Sequence, residues 1–180
     1  MDIFIRQCQV VGQKCDFEAK CYMISFNFSS RNTVPTNLQL NGNIIKSVNS
    51  LTLLGIILTD DLSWRENTAN ICQKVNRKFY LLWKLKQFGL KQEELLTAWK
   101  VLLRPIAEYV APLWHSGLLK SDSEKLERLQ KRAVGLILGT TYVNFERRYK
   151  VNCKAVTYEV VLKYLKIPKL VVRRESLKKI

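Results

Sequence analysis

The apolar residues of this chain follow two periods, one in residues 1–62 and another from Ser63 onward. In the first part they alternate along Cys21–Phe28, which is the period of a half-buried strand whose apolar face is Tyr22, Ile24, Phe26 and Phe28. Asn41-Gly42 separates two apolar runs, and both residues tolerate the positive φ angles of a type I′ hairpin turn. The run Leu51–Leu58 predicts a buried strand. Residues 1–62 are therefore expected to form a small, incomplete β lobe.

From Ser63 onward the apolar residues recur every three or four positions, as on one face of a helix. Ser63-Trp64-Arg65-Glu66 fits a capping box, in which the serine and glutamate side chains bond backbone amides of the first turn. A first helix is therefore expected to begin there and to end at Gly89. Its inward residues are predicted to be Ile71, Val75, Phe79, Leu82 and Leu85.

A second helix is expected from about Gln92. Pro105 and Pro112 should bend or divide it, because proline lacks the amide donor and crowds the preceding turn. Its buried stripe is predicted to be Leu95, Trp99, Leu102, Ile106, Tyr109 and Leu113.

A third helix is expected after Ser121-Asp122-Ser123, with Gly139 closing it. Its inward residues are predicted to be Leu126, Leu129, Ala133 and Leu136, and its outward ion pairs Glu124–Arg128 and Glu127–Lys131. Two short helices are expected in the tail, at about Ala155–Lys166 and Pro168–Lys179. The predicted fold class is α+β, with an incomplete β lobe over residues 1–62 and an all-α helical bundle over residues 63–180.

The net charge of +15 lies entirely in the predicted helical part. Residues 1–64 hold equal numbers of basic and acidic side chains, and the excess of Lys and Arg begins at Arg65. This asymmetry favours a polyanionic partner, DNA or RNA, because each phosphate that is neutralised releases counterions. A solvated basic surface without a partner and an anionic membrane surface are the alternatives. No apolar stretch reaches the ~18 to 20 residues of a membrane span, and no secretory signal is recognisable, so we expect an intracellular protein of the cytoplasm or nucleus.

The candidate nucleic-acid contacts are basic residues at helical spacing, which would bind phosphates without reading sequence. Aromatic residues among them, Phe79, Tyr80 and Trp83, would stack on bases, but core packing is the stronger interpretation for the aromatic residues, and also for Trp99, Tyr109 and Trp114. The predicted contacts are Lys74, Arg77, Lys78 and Lys84 on the first helix and Arg128, Lys131 and Arg132 on the third.

Catalytic and metal-binding patterns are absent from the sequence. The five cysteines, Cys8, Cys15, Cys21, Cys72 and Cys153, contain no CxxC pair, and His115 is the single histidine, so no zinc site is supported. His115 is interpreted as a packing or hydrogen-bonding residue. A Walker loop, a nucleophile elbow and a histidine-based triad are also missing, and no small-molecule substrate is indicated.

Four segments in order carry a resemblance to a known family. They are Leu53–Leu58 with Leu62-Ser63-Trp64; Leu103–Tyr109 with Trp114; Leu126–Ala133; and a tail with Tyr158, Leu162, Leu165, Ile167, Pro168, Leu170, Arg173 and Arg174. Together they resemble the carboxyl-terminal part of the reverse transcriptases of jockey-like, non-LTR (LINE-type) retrotransposons. The resemblance covers almost the whole chain.

The resemblance implies a role for each part. Cys21–Phe28, with Lys20 before it, would be the last strand of a polymerase palm, and Leu51–Leu58 its primer-grip hairpin. Residues 65–180 would be the thumb and the segment after it, which lies along the primer-template duplex. Lys20 falls where the family often has a lysine near the incoming nucleotide, but Phe17-Glu18-Ala19 lacks the asparagine usually found three positions before that lysine.

The family's chemistry needs carboxylates that are not found here. Nucleotidyl transfer uses two Mg²⁺ ions held by aspartates of the palm, including an aromatic-x-Asp-Asp turn. Asp60-Asp61 follows the primer-grip run and has no aromatic residue two positions before it, so Thr59-Asp60-Asp61 is interpreted as a polar turn. We therefore expect a reverse transcriptase fragment that is no enzyme by itself and holds no cofactor, with Mg²⁺ only in a complete polymerase.

Three functions remain open at the level of sequence. The first is nonspecific nucleic-acid binding by a fragment of an RNA-directed DNA polymerase. The second is a protein-protein interaction remnant or a domesticated non-enzymatic protein, with self-association through an exposed palm edge. The third is one part of an intact polymerase whose catalytic palm is encoded upstream.

Overall fold

The chain divides into two compact units between Leu62 and Ser63. The computed structural model describes residues 22–26, 39–40, 43–139 and 157–178. In these residues the strands belong to the first unit and the helices to the second, so the fold class is α+β.

The first unit contains short strands in pairs. Strand β1 (Tyr22–Met23) runs parallel to β4 (Lys46–Ser47), and β2 (Gln39–Leu40) runs antiparallel to β3 (Asn43–Ile44). Leu40 lies opposite Asn43, the register that the predicted hairpin requires, while Asn41-Gly42 itself lies outside the described residues.

The predicted half-buried strand over Cys21–Phe28 is wrong within residues 22–26. Only Tyr22–Met23 forms a strand there, and the Tyr22 and Phe26 side chains are exposed. An alternating sequence gains a buried face only where a second layer covers it, and neither of these two rings is buried. Cys21, Asn27 and Phe28 lie outside the described residues, as does Lys20.

Leu51–Leu58 is a hairpin rather than the single buried strand that its apolar run predicts. Strands β5 (Ser50–Leu53) and β6 (Ile56–Thr59) pair antiparallel around Leu54 and Gly55, whose φ angles are 48° and 82°. Two successive positive φ angles are the mark of a type I′ turn, whose twist matches that of the flanking strands. Gly55 adopts this conformation without strain, and it is the residue that divides the apolar run.

The second hairpin ends in the polar turn that the sequence predicts. The amide of Leu62 donates to the Thr59 carbonyl at 2.9 Å, and the Thr59 hydroxyl donates to Asp61 at 2.6 Å. The amide of Asp60 donates to the carbonyl of Asn49 at 2.8 Å. These short contacts hold Asp60-Asp61 as a local turn, and the prediction is confirmed.

Helix α1 spans Arg65–Gln87, and its N-cap residue is Trp64 rather than the predicted Ser63. Its end is a Schellman motif, in which Gly89 (φ 84°) donates to Lys86 and Leu90 donates to Leu85. The predicted inward stripe is confirmed, with Leu85 half-buried and the others buried: Ile71, Val75, Phe79 and Leu82.

The predicted second helix is interrupted before Pro105. Helix α2 (Gln92–Ala98) continues into a π-helical turn at Trp99–Leu103 and then into α3 (Arg104–Glu108). The proline ring would crowd the carbonyl four residues earlier in a regular helix, and the wider turn relieves this contact. After α3, Val110 has a positive φ of 47° and separates it from α4 (Ala111–Trp114), which is followed by a 3₁₀ turn at His115–Gly117.

The π-helical turn changes which residues are buried. Such a turn adds one residue to the helical repeat, so every later position rotates by about 100°. Leu95 and Trp99, before the shift, are buried as predicted. Beyond it the predicted stripe is wrong, since Leu102, Tyr109 and Leu113 are exposed and Ile106 is half-buried; the buried residues are Leu103, Ala107, Ala111 and Trp114.

Helix α5 (Lys120–Leu138) begins earlier than predicted, since it already includes the Ser121-Asp122-Ser123 segment after which it was expected to start; it ends at Gly139, whose φ is 65°. One of its faces packs on α1 and on the α2–α4 segment through Leu126, Leu129, Ala133 and Ile137. The predicted Leu136 is half-buried against the same cluster. Its other face, Val134 and Leu138, packs on Val161, Leu162, Leu165 and Ile167. Helix α6 is Tyr158–Tyr164 and α7 is Leu170–Leu177, with Pro168 between them.

Candidate nucleic-acid interface

Helix α1 exposes three cations that no acidic side chain balances. Lys74, Arg77 and Lys78 flank the buried positions of the helix and are all exposed. Within the described part of the chain, none of them forms a hydrogen bond or a salt bridge. Glu66, in the first turn, is the one acidic residue of α1. The positive potential of this surface is therefore open to an external anion.

Lys84, the fourth predicted cation of α1, is half-buried beside two aromatic rings. Its ammonium lies 5.7 Å from the ring centroid of Tyr80 and 5.4 Å from that of Trp83. The two ring centroids are 6.1 Å apart. Tyr80 is 63% exposed and Trp83 45% exposed. The core-packing interpretation is thus correct for Phe79, which is buried, and wrong for Tyr80 and Trp83.

The three predicted cations of α5 have different surroundings. Arg132 donates a hydrogen bond to Asn76 of α1 at 2.9 Å, and its guanidinium lies 4.7 Å from the Phe79 ring centroid. Lys131 lies over the Tyr158 ring at 5.1 Å. Arg128 is exposed and has neither a hydrogen bond nor a salt bridge within the described residues, so the predicted Glu124–Arg128 ion pair is wrong. Arg132 therefore joins two helices, whereas Arg128 is open to an external partner.

The contact between α1 and α5 brings some of the predicted residues together. Tyr80 lies one helical turn beyond both Asn76 and Arg77, and Trp83 one turn beyond Phe79. Because Arg132 binds at Asn76 and Phe79, it borders the exposed ring pair. Arg77, Lys84 and Arg132 are thus the cations near the rings. The helical repeat places Lys74 and Lys78 on the opposite flank of α1.

Two of the segments that carry the family resemblance are joined by an ion pair. Glu108 lies 3.4 Å from Arg104 in its own helix and 3.6 Å from Arg173 of α7. The indole of Trp114 donates to the carbonyl of Tyr109 at 2.8 Å. Trp99 and Trp114 are buried as predicted, whereas Tyr109 is exposed, which corrects the prediction for that residue.

Glu127 and Gln130 bind the tail of the chain. The Tyr158 hydroxyl donates to Glu127 at 2.6 Å, and the amide of Val171 donates to the same carboxylate at 3.4 Å. The Gln130 side chain donates to Tyr158 at 3.0 Å and to the Pro168 carbonyl at 2.9 Å. The prediction that Glu127 faces outward is therefore wrong, because its carboxylate is the acceptor for groups of α6 and α7.

His115 accepts a hydrogen bond from a buried arginine, which confirms its interpretation as a hydrogen-bonding residue. Arg174 donates from Nε to His115 Nδ1 at 3.3 Å and from Nη2 to Ser123 at 3.1 Å, and it lies 5.9 Å from the Trp114 ring centroid. Burial, and then the charges of Arg174 and Lys178, lower the pKa of His115 below its ordinary value of 6.5. Burial also lowers the pKa of Arg174. The imidazole is thus held neutral as an acceptor.

The described residues contain no group of three or more His, Cys, Asp or Glu side chains that could hold a metal ion. Cys72 is a free, half-buried thiol whose pKa is raised by burial, and Cys8, Cys15, Cys21 and Cys153 lie outside the described residues. Among the helices that the structure describes, none has both the length and the apolarity needed to cross a membrane.

Comparison with known proteins gives no match: no family model, no curated protein and no solved structure matches this chain.

Proposed function

We propose that the helical unit binds DNA or RNA through the phosphate backbone, without sequence specificity. The observation that carries the proposal is the set of exposed cations without acidic partners on α1 and α5: Lys74, Arg77, Lys78 and Arg128. A cation that has no acidic partner in its own protein keeps its full attraction for phosphate.

The geometry of these residues supports contact with a backbone rather than with base edges. Lys and Arg on the outer face of a helix reach phosphates that repeat along a strand, and such contacts carry no sequence information. Nonspecific dissociation constants of about 10⁻⁴ to 10⁻⁶ M at physiological salt are typical of this kind of binding.

We further propose that the chain is the carboxyl-terminal part of a reverse transcriptase of the non-LTR type, with residues 63–180 as its thumb and following segment. The support is the ordered set of sequence segments named above. Several of their side chains bind one another, Glu108 with Arg173 and Glu127 with Tyr158, as expected of residues that hold one helical unit together. The catalytic aspartates of a palm are not found in the sequence, so the chain is expected to bind primer-template without extending it.

A salt titration tests the binding proposal. The affinity for a labelled duplex and for a single strand would be measured by fluorescence anisotropy at about 50 and about 200 mM salt. The affinity should fall steeply as salt rises. An affinity that does not change with salt, or no binding at low salt, would contradict the proposal.

Primer extension tests the expectation that the chain does not extend a primer. The chain, mixed with primer-template, nucleotides and Mg²⁺, should incorporate no nucleotide, because two-metal transfer requires carboxylates that this sequence does not supply. Measurable incorporation would overturn this part of the proposal.

A second candidate function is binding to another protein or to a second copy of the chain. It is favoured by apolar side chains that are exposed in and after the π-helical turn, namely Val101, Leu102, Tyr109 and Leu113. Sedimentation of the protein alone, at increasing concentration, separates the two candidates. Self-association that Leu102→Ser abolishes would support this second function, and a monomer at every concentration would exclude its self-association form.

A further inference from the structure

Tyr80 and Trp83 form an exposed aromatic pair on α1, one helical turn from Arg77, which is one of the cations of the proposed phosphate-binding surface. We propose that this pair stacks on unpaired bases. The helical unit should therefore bind a single strand that carries bases more tightly than an abasic strand of the same length. This inference rests on the proposed function, since the same surface must hold the phosphates. It adds a class of substrate, a strand whose bases are free to stack.

The burial of the neighbouring aromatic residues distinguishes this pair from core packing. Phe79, one residue earlier, is buried and stacks on Trp99 with centroids 6.1 Å apart and planes 14° apart. Tyr80 and Trp83 are on the outer side of the same helix, 6.1 Å apart and tilted by 35°. Large exposed rings that are not needed for the core are the usual platform for base stacking, because every base offers a π face.

Cations surround the pair on both sides. Lys84 lies over both rings, at 5.4 and 5.7 Å, and restricts their movement by cation–π attraction. Arg77 is one helical turn before Tyr80, and Arg132 reaches the pair from α5 through its bond to Asn76. A base stacked on either ring would therefore have its phosphate within reach of a positive side chain.

The charge of the surface favours nucleic acid over an apolar protein partner. The charged residues named beside the pair, Lys84, Arg77 and Arg132, are basic, and the one acidic residue of α1, Glu66, lies in its first turn, at the other end of the helix. A strand of nucleic acid supplies rings and negative charges at regular intervals, which complements rings and cations placed next to each other.

The test compares two strands that differ only in their bases. The 180-residue chain is titrated by fluorescence anisotropy with a labelled oligothymidylate of about twelve nucleotides and with an abasic strand of the same length. Both strands carry the same phosphates, so their difference measures what the bases contribute. The strand with bases should bind at least about fivefold more tightly.

Substitutions locate that difference on α1. The double variant Tyr80→Ala, Trp83→Ala should bind both strands with the affinity that the native protein has for the abasic strand. The variant Tyr80→Phe, Trp83→Phe keeps two rings and should retain the preference. The matched control is Phe88→Ala, Tyr109→Ala, which removes two other exposed rings, 78% and 53% exposed, and should also retain it. Melting temperatures of all variants confirm that each is folded.

The outcomes separate this inference from the function on which it rests. If both strands bind equally well to the native protein, stacking is overturned and backbone binding stands. If neither strand binds, both are overturned. The assignment to this pair is overturned if the preference survives in the Tyr80→Ala, Trp83→Ala variant. It is also overturned if the control variant loses the preference. An apolar protein partner then becomes the better occupant of the surface formed by Tyr80 and Trp83.

Discussion

The guanidinium of Arg132 and the side-chain oxygen of Asn76 lie 2.9 Å apart, and this hydrogen bond joins α5 to α1 on the surface of the helical unit. The same guanidinium covers the Phe79 ring at 4.7 Å. A residue that sequence reasoning assigns to nucleic-acid binding therefore also holds together the two helices that form the proposed interface. Arg128, one turn earlier, has no such contact within the described residues.

This difference predicts unequal effects on stability. Arg132→Ala should lower the free energy of unfolding by about 1 kcal/mol, since it removes one hydrogen bond and one cation–π contact. Arg128→Ala, the matched control, should change it by less than about 0.5 kcal/mol. Urea unfolding measures both. A double-mutant cycle with Asn76→Ala should give a positive coupling energy for Arg132, and the absence of coupling would show that the hydrogen bond contributes nothing.

Removal of the cations of α1 that have no acidic partner should weaken nucleic-acid binding and make the affinity less dependent on salt concentration. The triple variant Lys74→Gln, Arg77→Gln, Lys78→Gln should reduce the slope of log affinity against log salt by about 0.9 for each residue that contacts a phosphate of a duplex. Anisotropy titrations at several salt concentrations measure the slope.

The control for this variant removes equal charge elsewhere. Lys120→Gln, Lys163→Gln, Lys166→Gln replaces three exposed lysines outside the proposed surface. Its slope should stay close to that of the native protein. If the two triple variants behave alike, binding depends on net charge and not on the surface of α1.

Gly117 should resist substitution because the Trp64 indole occupies the space of a side chain. A Cβ at Gly117 would lie 2.5 Å from Nε1 and 2.8 Å from Cδ1 of Trp64. The indole is rigid and packs on the main core cluster, so Gly117→Ala should lower the free energy of unfolding by about 1 to 3 kcal/mol.

Gly135 provides the opposite case in the same protein. It lies inside α5, and a Cβ there would meet no atom within 4 Å. Gly135→Ala should therefore raise the free energy of unfolding by about 0.5 to 1 kcal/mol, because alanine favours the helix. Thermal unfolding of both variants is the measurement, and a Gly117→Ala variant as stable as the native protein would show that Trp64 moves freely.

Acidification should destabilise the helical unit through His115. Because burial and nearby cations lower the pKa of His115 below 6.5, the unfolded chain binds a proton at a higher pH than the folded one. This contribution to stability is complete above 6.5 and is lost as the pH falls through and below that value. Protonation of Nδ1 also removes the acceptor for Arg174.

The measurement is the melting temperature at about pH 7.5 and about pH 5.5. His115→Asn keeps an acceptor oxygen without a group that titrates in this range, so its loss of stability on acidification should be smaller than that of the native protein. Equal losses in the two proteins would show that other groups cause the pH dependence.

Much of the helical unit follows directly from local sequence. The stripe Ile71, Val75, Phe79 and Leu82 is buried as predicted, and Gly89 and Gly139 end their helices with positive φ angles. Helical periodicity and glycine conformation are properties of short segments, so they are readable without knowledge of the fold. The exposure of Lys74, Arg77 and Lys78 follows from the same phase.

Other features depend on contacts between segments. Tyr80 and Trp83 show this, since both rings are exposed although core packing is the stronger interpretation of their sequence. Whether such a ring is covered depends on where the neighbouring helices pack. Glu127 is a similar case, because its partners Tyr158 and Val171 are distant in sequence.

The sequence by itself determined the α+β class, the placement of the whole positive charge from Arg65 onward, and the phase of α1 with its row of cations. Tertiary structure decided the rest: the π-helical turn before Pro105 and the break at Val110 moved the buried stripe off the predicted residues, and the packing of α5 joined Arg132 to Asn76. The physical reason is the distance along the chain over which each effect acts. Periodicity, charge and backbone preference act within a few residues, whereas burial and hydrogen-bond partners depend on segments that meet only in the folded chain.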